Sequence, residues 1–431
     1  MSSAAGAARE ADAALEQGLL EVLLSDHGAA GPYEAYRWLR ERAPRLRTGS
    51  GLVVLSGYED CAAALRDRAL GKADESLGFA LAAVPEQLQR RALRRFRRTM
   101  LFRNPPDHGR LRRLVAQVFT PRHVEELRPS VVARIDELLD GWAGRDEVDA
   151  VADLALPLPV GVIGDLLGVP GSDLVATAPR VRALVAPLEP SADVDAVREA
   201  AEAEDELAAY FADLLEVKRR RPDDDLLSRL ATAHGDDRLD DDEMVGTAIL
   251  LFAAGFETTT NLVGNGLAAL LAAPEQRHRL AGDPGLVATA VDELLRFDAP
   301  VQTDGRTALA DTRIGDLDIP AGQVVLLLLG AANHDPAVFT RPSELDVGRR
   351  EAPPLSFGGG LHFCLGASLA RLEAAELFPR LLSRFPHLTP AGPPRWRRAL
   401  SFRGLDQLPL RPGREDPGRG SLDSPAAAVA R

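Results

Sequence analysis

The sequence predicts a mainly α fold with a minor β portion, and three observations carry that prediction. From His123 to Ala273 apolar residues recur every three or four positions, the period of a helix face packed on a core. One segment, Arg306 to Gly330, breaks the pattern, because IGDLDIPAGQVVLLLLG has the turn residues and apolar run of paired strands. No internal repeat and no linker divides the 431 residues, so one domain over 29–411 is the simplest architecture.

Along the chain, residues 1–28 and 412–431 are rich in small, charged or turn-forming residues and are expected to be flexible. The opening MSSAAGAAREADAALEQGLLEVLL carries acids and no sustained apolar core, so it reads as neither signal peptide nor membrane anchor. Tyr33 to Arg42 and Tyr58 to Asp67 show helical spacing, and RLRTGSGLVVL between them, Arg45 to Leu55, alternates around a Gly-Ser-Gly turn as a hairpin does. In QLQRRALRRFRRTMLFR, Leu88, Ala92, Phe96 and Met100 fall at successive fours with six arginines between Arg90 and Arg98, which predicts an amphipathic basic helix. His123 to Trp142, Leu154 to Leu167, Leu174 to Val185 and Val194 to Arg220 read as further helices. The last, Met244 to Ala273, is preceded by Asp241, Asp242 and Glu243, where carboxylates favour the positive end of the helix dipole, and Pro274 marks its end. Although it is the longest apolar stretch, it holds Glu257 and three threonines at its middle, so it is expected to be buried in protein and not in a bilayer.

A formal charge of -13 argues against bulk nucleic-acid binding. Two cysteines without a CxxC make neither a disulfide framework nor a zinc or dithiol site, and a reducing cytoplasm fits best.

One of those cysteines, Cys364, lies in SFGGGLHFCLGAS behind three consecutive glycines and ahead of the helical pattern LGASLARLEAAELFPRLL. The glycines permit backbone geometry closed to other residues and leave no side chain between the loop and an approaching flat ligand. The helix N-terminus favours a thiolate, and a single thiolate without companion ligands suits an axial position on haem iron better than a zinc tetrahedron. A buried cysteine in a Gly-rich turn is the alternative.

In FGGGLHFCLG, Phe357, Gly358, Gly360, His362, Cys364 and Gly366 occupy the positions of the cytochrome P450 signature, and the sequence resembles that superfamily, in its soluble bacterial class, from about Tyr33 to Leu410. The resemblance implies a haem-thiolate monooxygenase fold, with a long central helix over haem b and a cysteine-ligand loop beneath it. Cys364 would ligate the iron, with Phe357, Gly358 and Gly366 against the cofactor. In VDELLRFDAP, Glu293 and Arg296 stand at i and i+3, and the resemblance pairs them with Arg349 as a buried structural triad holding the cysteine loop. Two propionates call for donors, and His108, Arg112, Arg306 and His362 match the family positions that supply them. In AAGFETTT, Thr258 can bond back to the Ala254 carbonyl and loosen the helix; the resemblance makes Glu257 and Thr258 the proton-relay pair and leaves space above the haem at Ala254 and Gly255. By family position, Ala253, Ala254, Pro300, Val301 and Phe402 face substrate, and the proline-broken VAPLEPSAD, Val185 to Asp193, would form a mobile lid. His334 in ANHDPAVF receives no catalytic role.

As implied function, the enzyme would use dioxygen to hydroxylate or epoxidise a lipophilic small molecule in natural-product biosynthesis. Electrons would come from a ferredoxin and an NAD(P)H-dependent ferredoxin reductase, since no flavin or iron-sulfur segment is recognised in the chain. The arginine run has three readings: a solvated face, a receiver for an anionic or carrier-protein-tethered substrate, or a redox-partner dock. A peroxide-driven or isomerising haem-thiolate enzyme and a non-catalytic haem sensor are the rival functions.

Overall fold

The computed structural model describes residues 14–73, 84–232 and 239–413. Helices dominate. The longest, Asp241–Ala272, begins with a capping box: Asp240 accepts from the Glu243 amide at 2.8 Å while Glu243 accepts from the Asp240 amide at 3.0 Å. It ends where Pro274 opens the next helix at its first position. Twenty-two of its residues are buried, including Glu257, Thr259 and Thr260, as expected for a helix enclosed by protein. Among the described residues no helix is long and apolar enough to cross a membrane.

The expected hairpin forms from Arg45–Arg47 and Val53–Leu55, and the expected β segment supplies Thr303–Ala308 and Val324–Leu328, with a small antiparallel pair Thr312–Ile314 and Leu317–Ile319 between them. Apart from that small pair, these strands and Leu70–Gly71 make a five-stranded sheet in which Val53–Leu55 runs parallel to Val325–Leu327 and every other pair is antiparallel. The period of two sorts its side chains: Val53, Leu55, Val325 and Leu327 pack with the helix Tyr58–Arg66, whereas Val54, Leu328 and the half-buried Val324 and Leu326 pack with Tyr36 and Leu39. Both faces are therefore covered.

Two expectations need correction, and a third falls mostly outside the described residues. Residues 14–24, placed in a flexible N-terminal segment, form a helix that buries Leu19, Val22 and Leu23 against that second face. The flexible tail expected over 412–431 lies outside the described residues from 414 onward. The basic run is not one helix: Glu86–Ala92 is helical, the chain turns at Leu93–Arg95, and Phe96–Arg98 is a single 3-10 turn. Ala92 and Phe96 are buried as the spacing requires, but the turn lets Arg95 reach Glu204 at 3.0 Å and Asp242 at 3.2 Å, and Arg98 reach Asp240 at 2.6 Å. Tertiary ion pairs, one of them onto a buried carboxylate, outweigh helix continuation.

Candidate functional site

The loop carrying Cys364 is shaped by glycines for reasons the sequence left unassigned. Gly358 has φ +68°, and a Cβ at Gly360, φ +63°, would lie 2.3 Å from the Leu65 carbonyl. The glycines thus seat the loop against the helix Tyr58–Arg66, in addition to leaving its other face open. Cys364 donates its own amide to the Phe357 carbonyl at 2.9 Å, and the Arg371 guanidinium lies 4.5 Å over the Phe357 ring. The helix Ala367–Arg384 follows, N-capped by Gly366. Burial pushes the Cys364 thiol up, whereas the amides of Gly366 and Ala367 and the guanidinium groups of Arg112 and Arg371 pull it down. Burial outweighs these lowering contacts, the helix-terminal amides among them, and a cation bound at the sulfur would favour the thiolate further.

Behind the loop, Glu293 is 2% exposed and Arg296 1% exposed. Arg296 donates to both Glu293 oxygens, Nε at 2.7 Å and Nη2 at 2.9 Å; Arg349 Nε donates at 3.0 Å and the Asp346 amide at 2.8 Å. Arg296 Nη1 also donates to the carbonyls of Asn333 and Pro342, while Asn333 ties back to Ser356 Oγ and the Leu355 amide. The three residues predicted to associate do so, and the network reaches the start of the cysteine loop. His334, given no catalytic role, is buried, stacked on Tyr33 at 4.3 Å and bonded to the Phe297 carbonyl.

Cys364 opens on a cavity of about 420 Å³. Its wall brings together His108, Arg112, Arg306, His362, Phe357, Gly358, Gly366, Ala253, Ala254, Gly255, Glu257, Thr258, Pro300, Val301 and Phe402. The propionate candidates cluster: the His108 and His362 rings are 4.6 Å apart, Arg112 Nη2 donates to the Phe363 carbonyl at 2.7 Å, and Arg306 pairs with Asp304 at 2.6 Å. Lys72, which the sequence did not single out, also pairs with Asp304, at 2.5 Å on Oδ1. Burial brings Lys72 down to about 8 and His362 to about 3, and it also lowers His108, so burial favours the neutral form of both rings. His108 Nε2 is buried without a partner. An orphaned ring nitrogen, a gathering of buried and half-buried donors around the single carboxylate of Asp304 and a thiol facing the same cavity fit a haem, with His108, Arg112, Arg306, His362 and Lys72 available to its propionates.

Thr258 Oγ donates to the Ala254 carbonyl at 3.1 Å, the back-bond its position predicts, and Ala254 is exposed to the cavity. Gly255 lines the cavity, and a Cβ there would lie 2.5 Å from Ile163, so this glycine also lets the helix Pro157–Leu167 approach closely. Glu257 is buried and held by Arg397 on one oxygen and Arg182 Nε at 3.4 Å on the other. Neither arginine was legible as its partner. The expected mobile lid roofs the cavity with Val185, Leu188 and Pro190, but Glu189 within it is fastened to the turn at Leu400–Phe402.

A family model for cytochrome P450 matches residues 285–401. Over 91% of its length the chain is 40% identical to Cytochrome P450 107B1 of Saccharopolyspora erythraea, covering 98% of that protein. It is 37% identical to 6-deoxyerythronolide B hydroxylase of the same organism, over 88% of this chain and 95% of that one. Among solved structures it is similar to P450BioI in complex with hexadec-9Z-enoic acid ligated acyl carrier protein, with TM-score 0.82, 36% identity and coverage of 88% of this chain and 98% of that one.

Proposed function

This chain belongs to the cytochrome P450 family as a monooxygenase, and from that premise we propose that it hydroxylates or epoxidises a lipophilic natural product bound in the cavity beside Cys364. The single observation that carries the substrate class is the lining. Its lysine and arginines are Lys72, Arg112 and Arg306, and all three belong to the Asp304 cluster or the cysteine loop. The wall formed by Leu250, Ala253, Ala254, Pro300, Val301 and Phe402 is apolar and matches a lipophilic body.

Bound haem b, ligated by a thiolate, supplies the activation of dioxygen. In this reading the chain supplies the rest. Cys364 provides the sulfur, and the Gly366 and Ala367 amides with Arg112 and Arg371 stabilise its negative charge. Thr258, bonded to Ala254, keeps its hydroxyl oxygen able to accept from a proton donor at the cavity wall, and Glu257 stands beside it in sequence, oriented by Arg182 and Arg397. The apolar walls exclude bulk water from the site and limit stray proton entry. Electrons come from a separate ferredoxin and its NAD(P)H-dependent reductase, and the enzyme works in the cytoplasm.

A carrier-tethered acyl substrate is a second reading, favoured by the similarity to P450BioI. It does not rest on the arginine run, where Arg91, Arg95 and Arg98 pair with Asp205, Glu204, Asp240 and Asp242 of this chain. Free and carrier-linked forms of one fatty acid, compared for the spectral shift of axial-water displacement, separate the two readings.

The test of the function is isotopic dioxygen. Product carrying one labelled oxygen, formed only with NAD(P)H, ferredoxin and reductase, is expected; product formed from peroxide alone identifies the peroxide-driven alternative, and binding without oxidation identifies a sensor. Thr258→Ala is expected to lower product formed per NAD(P)H by about tenfold, with the reducing equivalents appearing as hydrogen peroxide or water. Unchanged coupling would remove Thr258 from proton delivery.

A further inference from the structure

Glu189 is 9% exposed and lies at the end of the 3-10 turn Ala186–Leu188, in the connection between the helices Gly171–Val185 and Val194–Arg220. Its side chain spends both oxygens on three consecutive backbone amides more than 200 residues away. Oε2 accepts from Leu400 at 2.9 Å and Ser401 at 2.8 Å, and Oε1 accepts from Phe402 at 2.9 Å. The turn so held is tied on its far side to the opposite cavity wall: the Ser401 carbonyl accepts from the Gln302 amide at 3.0 Å, Ser401 Oγ bonds Thr303 Oγ at 3.0 Å, and Phe402 bridges Val301. Roof and wall both line the cavity, and one carboxylate joins them.

Burial pushes the Glu189 carboxyl up while the Ser401, Phe402 and Leu400 amides pull it down, and three amide donors converging on its two oxygens leave no equivalent position for a side chain that carries an NH₂. A glutamine at this site keeps one oxygen but turns an NH₂ toward an amide donor. We propose that Glu189 is a positioning residue for substrate selection: it locks the Leu400–Phe402 turn to the cavity roof and thereby sets where Phe402 and Ser401 stand against a bulky ligand. Small ligands that do not reach this wall are indifferent to it. This inference rests on the reading of the cavity as the substrate site, and it adds a residue that touches no reacting atom yet determines which shapes fit.

Two measurements on the haem-loaded, full-length protein test it. In hydrogen exchange, the amides of Leu400, Ser401 and Phe402 are protected in the parent protein, and Glu189→Gln and Glu189→Ala accelerate their exchange by about tenfold or more. Unprotected amides in the parent overturn the proposal without any variant, as does unchanged exchange in folded variants. In the second measurement, Soret shifts report binding of imidazole and of the bulky azole clotrimazole. The variants weaken clotrimazole by about tenfold while imidazole changes by less than about twofold. Equal effects on both azoles, or none on clotrimazole, refute the role in selection even where exchange has accelerated. A parent protein that shifts with neither azole instead defeats the haem-pocket reading itself, and leaves the exchange result to judge the clamp.

Discussion

Replacing Glu293 by Gln removes the negative charge from a site in which Arg296 is 1% exposed and two guanidinium groups converge. Glu293 accepts four hydrogen bonds there, three of them from arginine. Glutamine retains one carbonyl oxygen but presents an NH₂ to donors, so at least two of the four are lost and Arg296 is stranded as a buried cation. Breaking one side of a buried pair costs about 3–5 kcal/mol. The Asn333 and Pro342 carbonyls still accept from Arg296, which places the expected loss near the lower limit, at about 3 kcal/mol. An internal control is the Arg341–Glu344 pair, whose side chains are 71% and 56% exposed; Glu344→Gln is expected to cost at most about 1 kcal/mol. Urea unfolding of both variants at equal haem loading, read as a midpoint shift at constant slope, provides the comparison. The reasoning is refuted if Glu293→Gln loses no more than Glu344→Gln.

Two further outcomes follow from buried groups. Glu373 is 1% exposed, its Oε2 has no partner, and burial pushes its carboxyl up to about 8. The folded protein therefore holds a proton that the unfolded chain releases near 4.5, so this residue's contribution to stability declines as pH rises from about 4.5 and is fully lost above about 8; Glu373→Gln flattens that decline and exceeds the parent in urea midpoint at high pH. An unaltered pH slope in the variant contradicts this. Gly360→Ala places a Cβ 2.3 Å from the Leu65 carbonyl at positive φ and is expected to cost about 2 kcal/mol or more, whereas Gly109→Ala, exposed in the helix Asp107–Ala116 with nothing within 4 Å, gains up to about 1 kcal/mol. Thermal midpoints that rank the two variants the other way would refute the role given to Gly360.

What the sequence made legible was local, or carried by a dense motif. The Thr258 back-bond follows from helix geometry alone, since Ala254 is four residues earlier. Glu293 and Arg296 share a helix face, and the Cys364 loop concentrates its signal in thirteen residues from Ser356 to Ser368. The missed partners lie far apart in the chain. Glu257 meets Arg182 and Arg397 across 75 and 140 residues, Lys72 meets Asp304 across 232, and nothing in the local pattern of either segment signals the other. The same long-range pairing explains the broken basic helix, because the spacing of Leu88, Ala92, Phe96 and Met100 reported the buried face correctly but carried no information about Glu204 and Asp242. The second use of Gly255 was hidden for a related reason: its missing Cβ also accommodates Ile163 on another helix.

The account stands on a thiolate bond from Cys364 to haem iron, and the most direct measurement of it is the absorption spectrum of the reduced carbon-monoxide complex in the parent and in Cys364→Ser. The parent is predicted to show the red-shifted Soret band that a thiolate opposite carbon monoxide produces, and Cys364→Ser to lose it. A red-shifted band that survives in Cys364→Ser would contradict the ligand assignment and the function built on it.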